Sequence, residues 1–306
     1  MKQPNIVVIG SLNMDLVVTS DRMPRVGETI EGSDIHYIPG GKGANQAIGC
    51  SRLGANVTMI GSVGKDAFGE QIIRQMNNNG IVTDRIAQLN GVPTGTATIL
   101  HTAEDNCIVI VPGANGRTTA ELVAANEEMI RQADVLLLQL EVPLSTVLEA
   151  LRIARAHGIR TVLNPAPAKP LSDELLGLVD ILTPNETEFE ALSGQAYSTD
   201  EELTAGMKDW EARFRQTLII TRGDKGSSYL NNGELRTIAA PTVRVVDTTG
   251  AGDCFNAALC CSLAAGQSMD EAVRFAIHAA SLSVTKFGAQ DGMPTLAEVN
   301  EKLTQY

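Results

Sequence analysis

The sequence predicts an α/β protein: a three-layer α/β/α domain built on a mostly parallel central sheet. Three observations predict it. Short, mostly apolar runs of strand length recur along the chain, the pattern of strands buried on both faces. Segments of helical period lie between most of them, several opened by capping-box spacing. The 306 residues are 43% hydrophobic and 20% charged, a composition that supports a large buried core and argues against disorder. Alternating strands and helices give a parallel sheet covered on both faces, and such sheets bind ligands beyond the carboxyl ends of their strands.

The first apolar run, residues 5–10, ends at Gly10. Comparable runs follow at 56–60, 134–140, 161–163, 179–182 and 217–221. Helix starts are expected at the pairs Thr118 and Glu121, Ser198 and Glu201, Ser268 and Glu271, and Thr295 and Glu298. Two regions break the alternation. Residues 16–38 give strand-like pieces at 16–19, 29–31 and 35–38, punctuated by Pro24, Gly27 and Gly32. Residues 94–111 give two more, at 96–102 and 107–111, joined by Ala103-Glu104-Asp105-Asn106. Both read as hairpins without helices. Together, over about 14–40 and 94–111, they form a small projecting β-sheet on a single domain spanning 1–306. One face of that sheet meets core or ligand; pairing with a second subunit would cover the other.

The net charge of −12 disfavours nucleic acid and anionic membranes as partners. It also repels nucleotides at long range, so a nucleotide site needs local backbone amides and a metal ion. The five cysteines, Cys50, Cys107, Cys254, Cys260 and Cys261, include no CxxC pair. That is the usage of reduced, mostly buried thiols. Met1 to Pro4 carries no signal-peptide pattern, and no apolar run nears the roughly 18 residues of a membrane span. A cytoplasmic protein is expected.

The run Val246-Asp247-Thr248-Thr249-Gly250-Ala251-Gly252-Asp253 carries the chemistry. It follows a β-like stretch, 242–246, and opens an apolar helix. Unpaired N–H groups at a helix start favour an anion, and glycines at 250 and 252 let a phosphate approach the main chain. Amides of Gly250, Ala251 and Gly252 can hold charge on a transferring phosphoryl group while Asp253, in the first turn, takes a hydroxyl proton. The helix start is expected to lower the Asp253 pKa, which a late proton transfer tolerates. The same residues also fit a glycine-rich turn with a dipole-stabilised acid.

A second stretch, Gly40-Gly41-Lys42-Gly43-Ala44-Asn45-Gln46-Ala47, starts another apolar helix, running to about Leu53. Asn13 and Asp15 follow the first strand and, two residues apart, face one side. An amide and a carboxylate suit a vicinal diol, and Asn-x-Asp equally suits an Asx-turn. Glu141 ends the 134–140 run. No G-x-x-x-x-G-K-[ST] occurs, and both G-x-G pairs lack the third glycine, so the P-loop and dinucleotide readings fail.

Over nearly its whole length the chain resembles the PfkB (ribokinase-like) family of carbohydrate kinases. The resemblance is carried by these two stretches with Gly10-Ser11-Leu12-Asn13-Met14-Asp15, Gln139-Leu140-Glu141, Asn164-Pro165-Ala166-Pro167, Pro184-Asn185-Glu186-Thr187-Glu188 and residues 284–290. It implies a ribokinase-like fold, with the small sheet as a lid over the sugar and as the dimer contact. It implies phosphoryl transfer from ATP to the 5-hydroxyl of D-ribose, with Asn13, Asp15, Gly41, Lys42, Asn45, Glu141 and Asp253 on the sugar. Asn13, able to bond a 2-hydroxyl, favours ribose over 2-deoxyribose. ATP is assigned to Asn185, Thr221, Arg222, Gly223, Asp224, Lys225, Gly226 and Gly252. Magnesium (Mg2+) is expected with ATP, assisted indirectly by Glu188. A monovalent cation, usually potassium (K+), is assigned to Asp247, Thr249, Ser283, Lys286, Gly288 and Gly292, mainly through backbone carbonyls. The position that usually carries Asn or His beside the adenine is Ile277 here, with His278 next to it. A kinase of the same family acting on deoxyribose, a ketohexose or a nucleoside, and a non-catalytic sugar sensor on this fold, are the alternative readings.

Overall fold

The computed structural model describes residues 3–102 and 105–304. Among the described residues thirteen strands follow in chain order: β1 (Asn5–Ile9), β2 (Asn13–Thr19), β3 (Asp34–Gly40), β4 (Asn56–Gly64), β5 (Ile86–Leu89), β6 (Gly95–His101), β7 (Asn106–Val111), β8 (Val135–Leu138), β9 (Arg160–Leu163), β10 (Ile181–Leu182), β11 (Thr217–Thr221), β12 (Ser227–Asn231) and β13 (Glu234–Ile238). Nine of them form one sheet in the order β13-β12-β11-β10-β9-β8-β1-β4-β5. Pairing is parallel from β11 to β5, and β12 and β13 add an antiparallel edge. β1 shows why its run is wholly apolar. Ile6 and Val8 enter the core on one face, Val7 and Ile9 the core on the other. The first core lies under the helices Lys42–Arg52, Ala251–Ala264 and Met269–Ser283, the second under Leu144–His157 and Asp200–Phe214.

The remaining four strands form the separate small sheet, in the order β3-β2-β6-β7. Its two antiparallel hairpins are joined by parallel pairing of β2 with β6. In the turn between β6 and β7, Ala103 and Glu104 lie outside the described residues. Register aligns Asp15 with Ile38, Ala97 and Ile110, so these four share a face with Asn13. The opposite face presents Met14, which is buried, and Tyr37, whose ring centroid is 5.9 Å from that of Phe68 on the helix Ala67–Asn78.

Several local expectations are corrected. Residues 29–31 form no strand; they lie in a mostly exposed loop tied by contacts such as the Arg22–Glu28 ion pair and the Ser33 amide to the Thr19 carbonyl. Residues 242–246 form no strand either. Val245 and Val246 are exposed, and the Val246 amide bonds the Val284 carbonyl instead of a neighbouring strand. Two helix caps move by one residue. Thr118 is buried and spends its hydroxyl on Ser62, so Thr119 caps the helix Ala120–Ala124. Thr199 and Glu202, not Ser198 and Glu201, close the capping box of Asp200–Phe214. The boxes at Ser268 and Thr295 form as expected.

Candidate active site

Two helix starts meet beyond the carboxyl ends of β1 and β8. The helix Lys42–Arg52 begins at Gly41 and the helix Ala251–Ala264 at Gly250, and neither has a side-chain cap. Both cap glycines have positive φ, 91° and 78°. A side chain at Gly41 would also strike the backbone of residues 11–13, and one at Gly250 would strike Ala289. The two helices run side by side in one direction. Asn45 bonds Asp253, and one turn on, Gly49 faces Ala257 so closely that a Cβ at 49 would sit 2.7 Å from the Ala257 Cβ. Their positive ends therefore add at one place.

Asp253 lies there, 6% exposed. Its Oδ2 accepts the Asn45 side-chain amide at 3.0 Å and its Oδ1 that of Gln46 at 2.9 Å. Burial pushes its carboxyl above the usual range; the Lys42 charge and the two amides oppose the rise without cancelling it, and Glu141 adds to it. The expected lowering by the helix start is thus overturned, because the group is enclosed and not at a solvated helix end. Among the described residues no acceptor meets the amides of Gly250, Gly252 and Asp253, whereas Ala251 donates to the Thr248 carbonyl at 3.2 Å. The open space above Gly252, with nothing within 4 Å of a notional Cβ, leaves its backbone approachable.

Asp15 faces the same space. Burial, then the charges of Glu141 and Asp253, raise its carboxyl to about 7. Glu141 reaches in from beyond β8. Its Oε2 accepts the Ser11 hydroxyl at 2.5 Å and the Lys42 amide at 3.2 Å, so it neutralises the first helix start from a distant strand end. Asn13, 4% exposed, has its Oδ1 bonded by Nδ2 of Asn115 at 2.7 Å, and Asn115 also holds both the amide and the carbonyl of Leu12. Thus Asn13, Asp15, Gly41, Lys42, Asn45, Glu141 and Asp253 converge. Ser11, Asn115 and Gln46 join them unannounced. Ser11 and Gln46 lie inside stretches already singled out, and Asn115 sits in a Gly113–Arg117 turn with no motif spacing.

The residues expected on nucleotide gather at adjacent strand ends. Asn185 and Thr221 form a parallel bridge, and residues 223–225 make a single 3-10 turn. Asn185 and Glu188 form a complete capping box, with the Glu188 Oε2 on the Asn185 amide. Arg222 turns away: its guanidinium pairs with Glu186 and Asp200 and its amide with the Gly226 carbonyl. Ile277 and His278 are buried in Met269–Ser283, with Nδ1 of His278 2.8 Å from the Arg274 carbonyl. For the cation positions, the carbonyls of Ser283 and Gly288 both come within 2.8 Å of a notional Cβ on Gly292, a small oxygen-lined cradle. Beside it, Asp247 accepts the Thr249 and Gly288 amides, each at 2.9 Å. Burial pushes the Asp247 carboxyl up, but the Thr249 hydroxyl and these amides hold it below the usual range. The Lys286 ammonium pairs with Glu298 instead, at 2.8 Å. Among the described residues no cluster of three His, Cys, Asp or Glu could hold a metal, and no helix is long and apolar enough to cross a membrane. A cleft of about 580 Å³ lined by Asp134, Arg155, Arg160 and Asp180 lies at the opposite ends of the strands.

The same arrangement has relatives. Residues 3–296 match the pfkB family carbohydrate kinase description. A ribokinase of Bacillus subtilis is 45% identical over 98% of this chain and 99% of its own length. A ribokinase of Haemophilus influenzae is 41% identical over 97% and 98%. The structure of Arabidopsis thaliana ribokinase complexed with ribose and ATP aligns with a TM-score of 0.93 at 34% identity, covering 99% of both chains. The likeness spans both helix starts and the fold that brings them together: the chain belongs to the pfkB family of carbohydrate kinases.

Proposed function

We propose that this chain transfers the γ-phosphoryl group of ATP to the 5-hydroxyl of D-ribose. One observation carries the reading: a buried carboxylate, Asp253, oriented by two amides at the head of a helix whose amides at 250, 252 and 253 have no acceptor among the described residues. Asn13 and Asp15 bind the sugar diol. With Asn13 Oδ1 held by Asn115, the amide hydrogens are left for a hydroxyl oxygen, while Asp15 accepts hydroxyl protons. Asp253 takes the proton of the 5-hydroxyl as it attacks, and its raised pKa makes it a better base than a solvated aspartate. The open amides stabilise charge on the phosphoryl oxygens. Asn185, Thr221 and the 223–226 turn receive the nucleotide.

Magnesium, arriving with ATP, would supply neutralisation of phosphate charge, with Glu188 assisting indirectly from its place on the Asn185 amide. The Ser283 and Gly288 carbonyls beside Asp247 suit a monovalent cation such as potassium. The small sheet acts as a lid: Asp15, Ala97 and Ile110 share its sugar-side face. The opposite face, expected to need a second subunit, already packs Tyr37 on Phe68; the homodimer contact therefore falls on the sugar-side face, which Ile99 and the half-exposed Ile108 continue. The test is ADP release over a panel of pentoses, with and without potassium. Sugar-dependent release fastest with ribose supports the reading. Equal rates with 2-deoxyribose, or none with any sugar, overturn it.

A further inference from the structure

Three residues in the singled-out stretches have no part in that mechanism: Gln46, Gln139 and Asn164. The fold joins them. Gln46 is fully buried. Its Nε2 donates to Asp253 Oδ1 at 2.9 Å and to Asn164 Oδ1 at 3.2 Å, and its Oε1 accepts Nε2 of Gln139 at 2.5 Å. Asn164 donates to the Thr183 carbonyl at 3.4 Å, and the Thr183 hydroxyl donates to Asn256 Oδ1 at 2.6 Å. Asn256 then donates to the Gly252 carbonyl at 2.8 Å. The network thus leaves one helix at Asp253 and returns to it one residue earlier, passing residues just beyond β8, β9 and β10.

We propose that Gln46 is a positioning residue for phosphoryl transfer, holding the Asp253 carboxylate ionised and aimed, with Gln139 fixing the amide that does so. The inference rests on the function proposed above. Its basis is direction. Gln139 donates to Gln46 and Gln46 donates to Asp253, so the dipoles align toward a negative charge. Packing alone does not call for this: an apolar side chain fills a buried site without leaving Gln139 Oε1 unpartnered, as it is here. The charged or titratable groups facing Asp253 are Lys42 from the first helix, Glu141 beyond β8, Asp15 on β2 and Cys254 on its own helix. Among the described residues the side-chain donors to its carboxylate are Asn45 and Gln46 alone.

The test compares pH profiles of kcat and kcat/KM for wild type, Gln46→Met and Gln139→Met, using sugar-dependent ADP release. Losing a hydrogen bond to the charged form raises the carboxyl pKa. In Gln46→Met the acid limb therefore moves up by about one unit or more, kcat falls most at low pH and recovers as pH rises, and sugar KM changes little. Gln139→Met, which leaves the Asp253 contact in place, moves the limb the same way by less. It also decides the matter should Gln46→Met not fold. A uniform fall at every pH, or an unmoved limb, overturns the inference. Wild type with no sugar-dependent turnover would instead fail the proposed function, a distinct result.

Discussion

Asn45 donates its side-chain amide to Oδ2 of Asp253 at 3.0 Å across 208 residues of chain. The bond joins the starts of two helices, so the group proposed to bind sugar and the group proposed to accept its proton are held as one unit. Asp253→Asn keeps the volume but removes the base and turns an N–H toward one of the two donor amides. Turnover is expected to fall roughly 10²–10⁴-fold, with sugar and nucleotide affinities by calorimetry changed only a few-fold. Near-normal turnover would remove Asp253 from the mechanism.

Asp15 gives a pH-dependent signature. Its carboxyl is held at about 7 in the folded chain against an ordinary 3.8. Between those values the folded chain keeps a proton that the unfolded chain has lost. The stability this group contributes is therefore full below about 4 and fades as pH rises through 7. Asp15→Asn resembles the protonated acid at every pH. Its melting temperature is expected to match that of wild type at pH 4 and to exceed it at pH 8, by about 2–4 °C or more, while its sugar KM rises. Equal differences at both pH values would argue against a charged, crowded Asp15.

The cradle beside Gly292 predicts a loss of cation response. A Cβ there would press on the carbonyls of Ser283 and Gly288. Gly292→Ala is expected to need about 10–100-fold more potassium for half-maximal activation. Turnover titrated with potassium at constant ionic strength measures this, and an unchanged curve would move the cation elsewhere.

Ile108 tests the small sheet. It lies on the edge strand β7, on the same face as Asp15 and 52% exposed. Ile108→Lys is expected to convert a dimer to a monomer at micromolar concentration in light scattering, with a raised sugar KM because the lid loses its support. A wild-type chain that is already monomeric would refute the interface.

The two helix starts were legible because their determinants are local. Glycines at 41 and 250 mark backbone that other residues resist, and the apolar runs behind them fix the helices. The partners of Asp253 and Asn13 were not legible, because the contacts are long-range. Glu141 meets Lys42 across 99 residues and Asn115 meets Asn13 across 102. Their residue types fit many surface roles until the fold places them. Residues 242–246 misled for the complementary reason. β-branched composition signals a strand only where the segment pairs with a neighbour, and here the Val246 amide goes to the Val284 carbonyl at a helix end. The pKa of Asp253 followed the same logic, since helix-start chemistry depends on whether water reaches the carboxyl.

Gly49 and Ala257 touch one turn behind Asn45 and Asp253, out of reach of any ligand. A larger residue at 49 would act as a wedge, spreading the two helix starts as a pair of jaws hinged from behind. Catalysis in this molecule is thus exposed to damage at a point that no list of contacts with sugar or nucleotide would include.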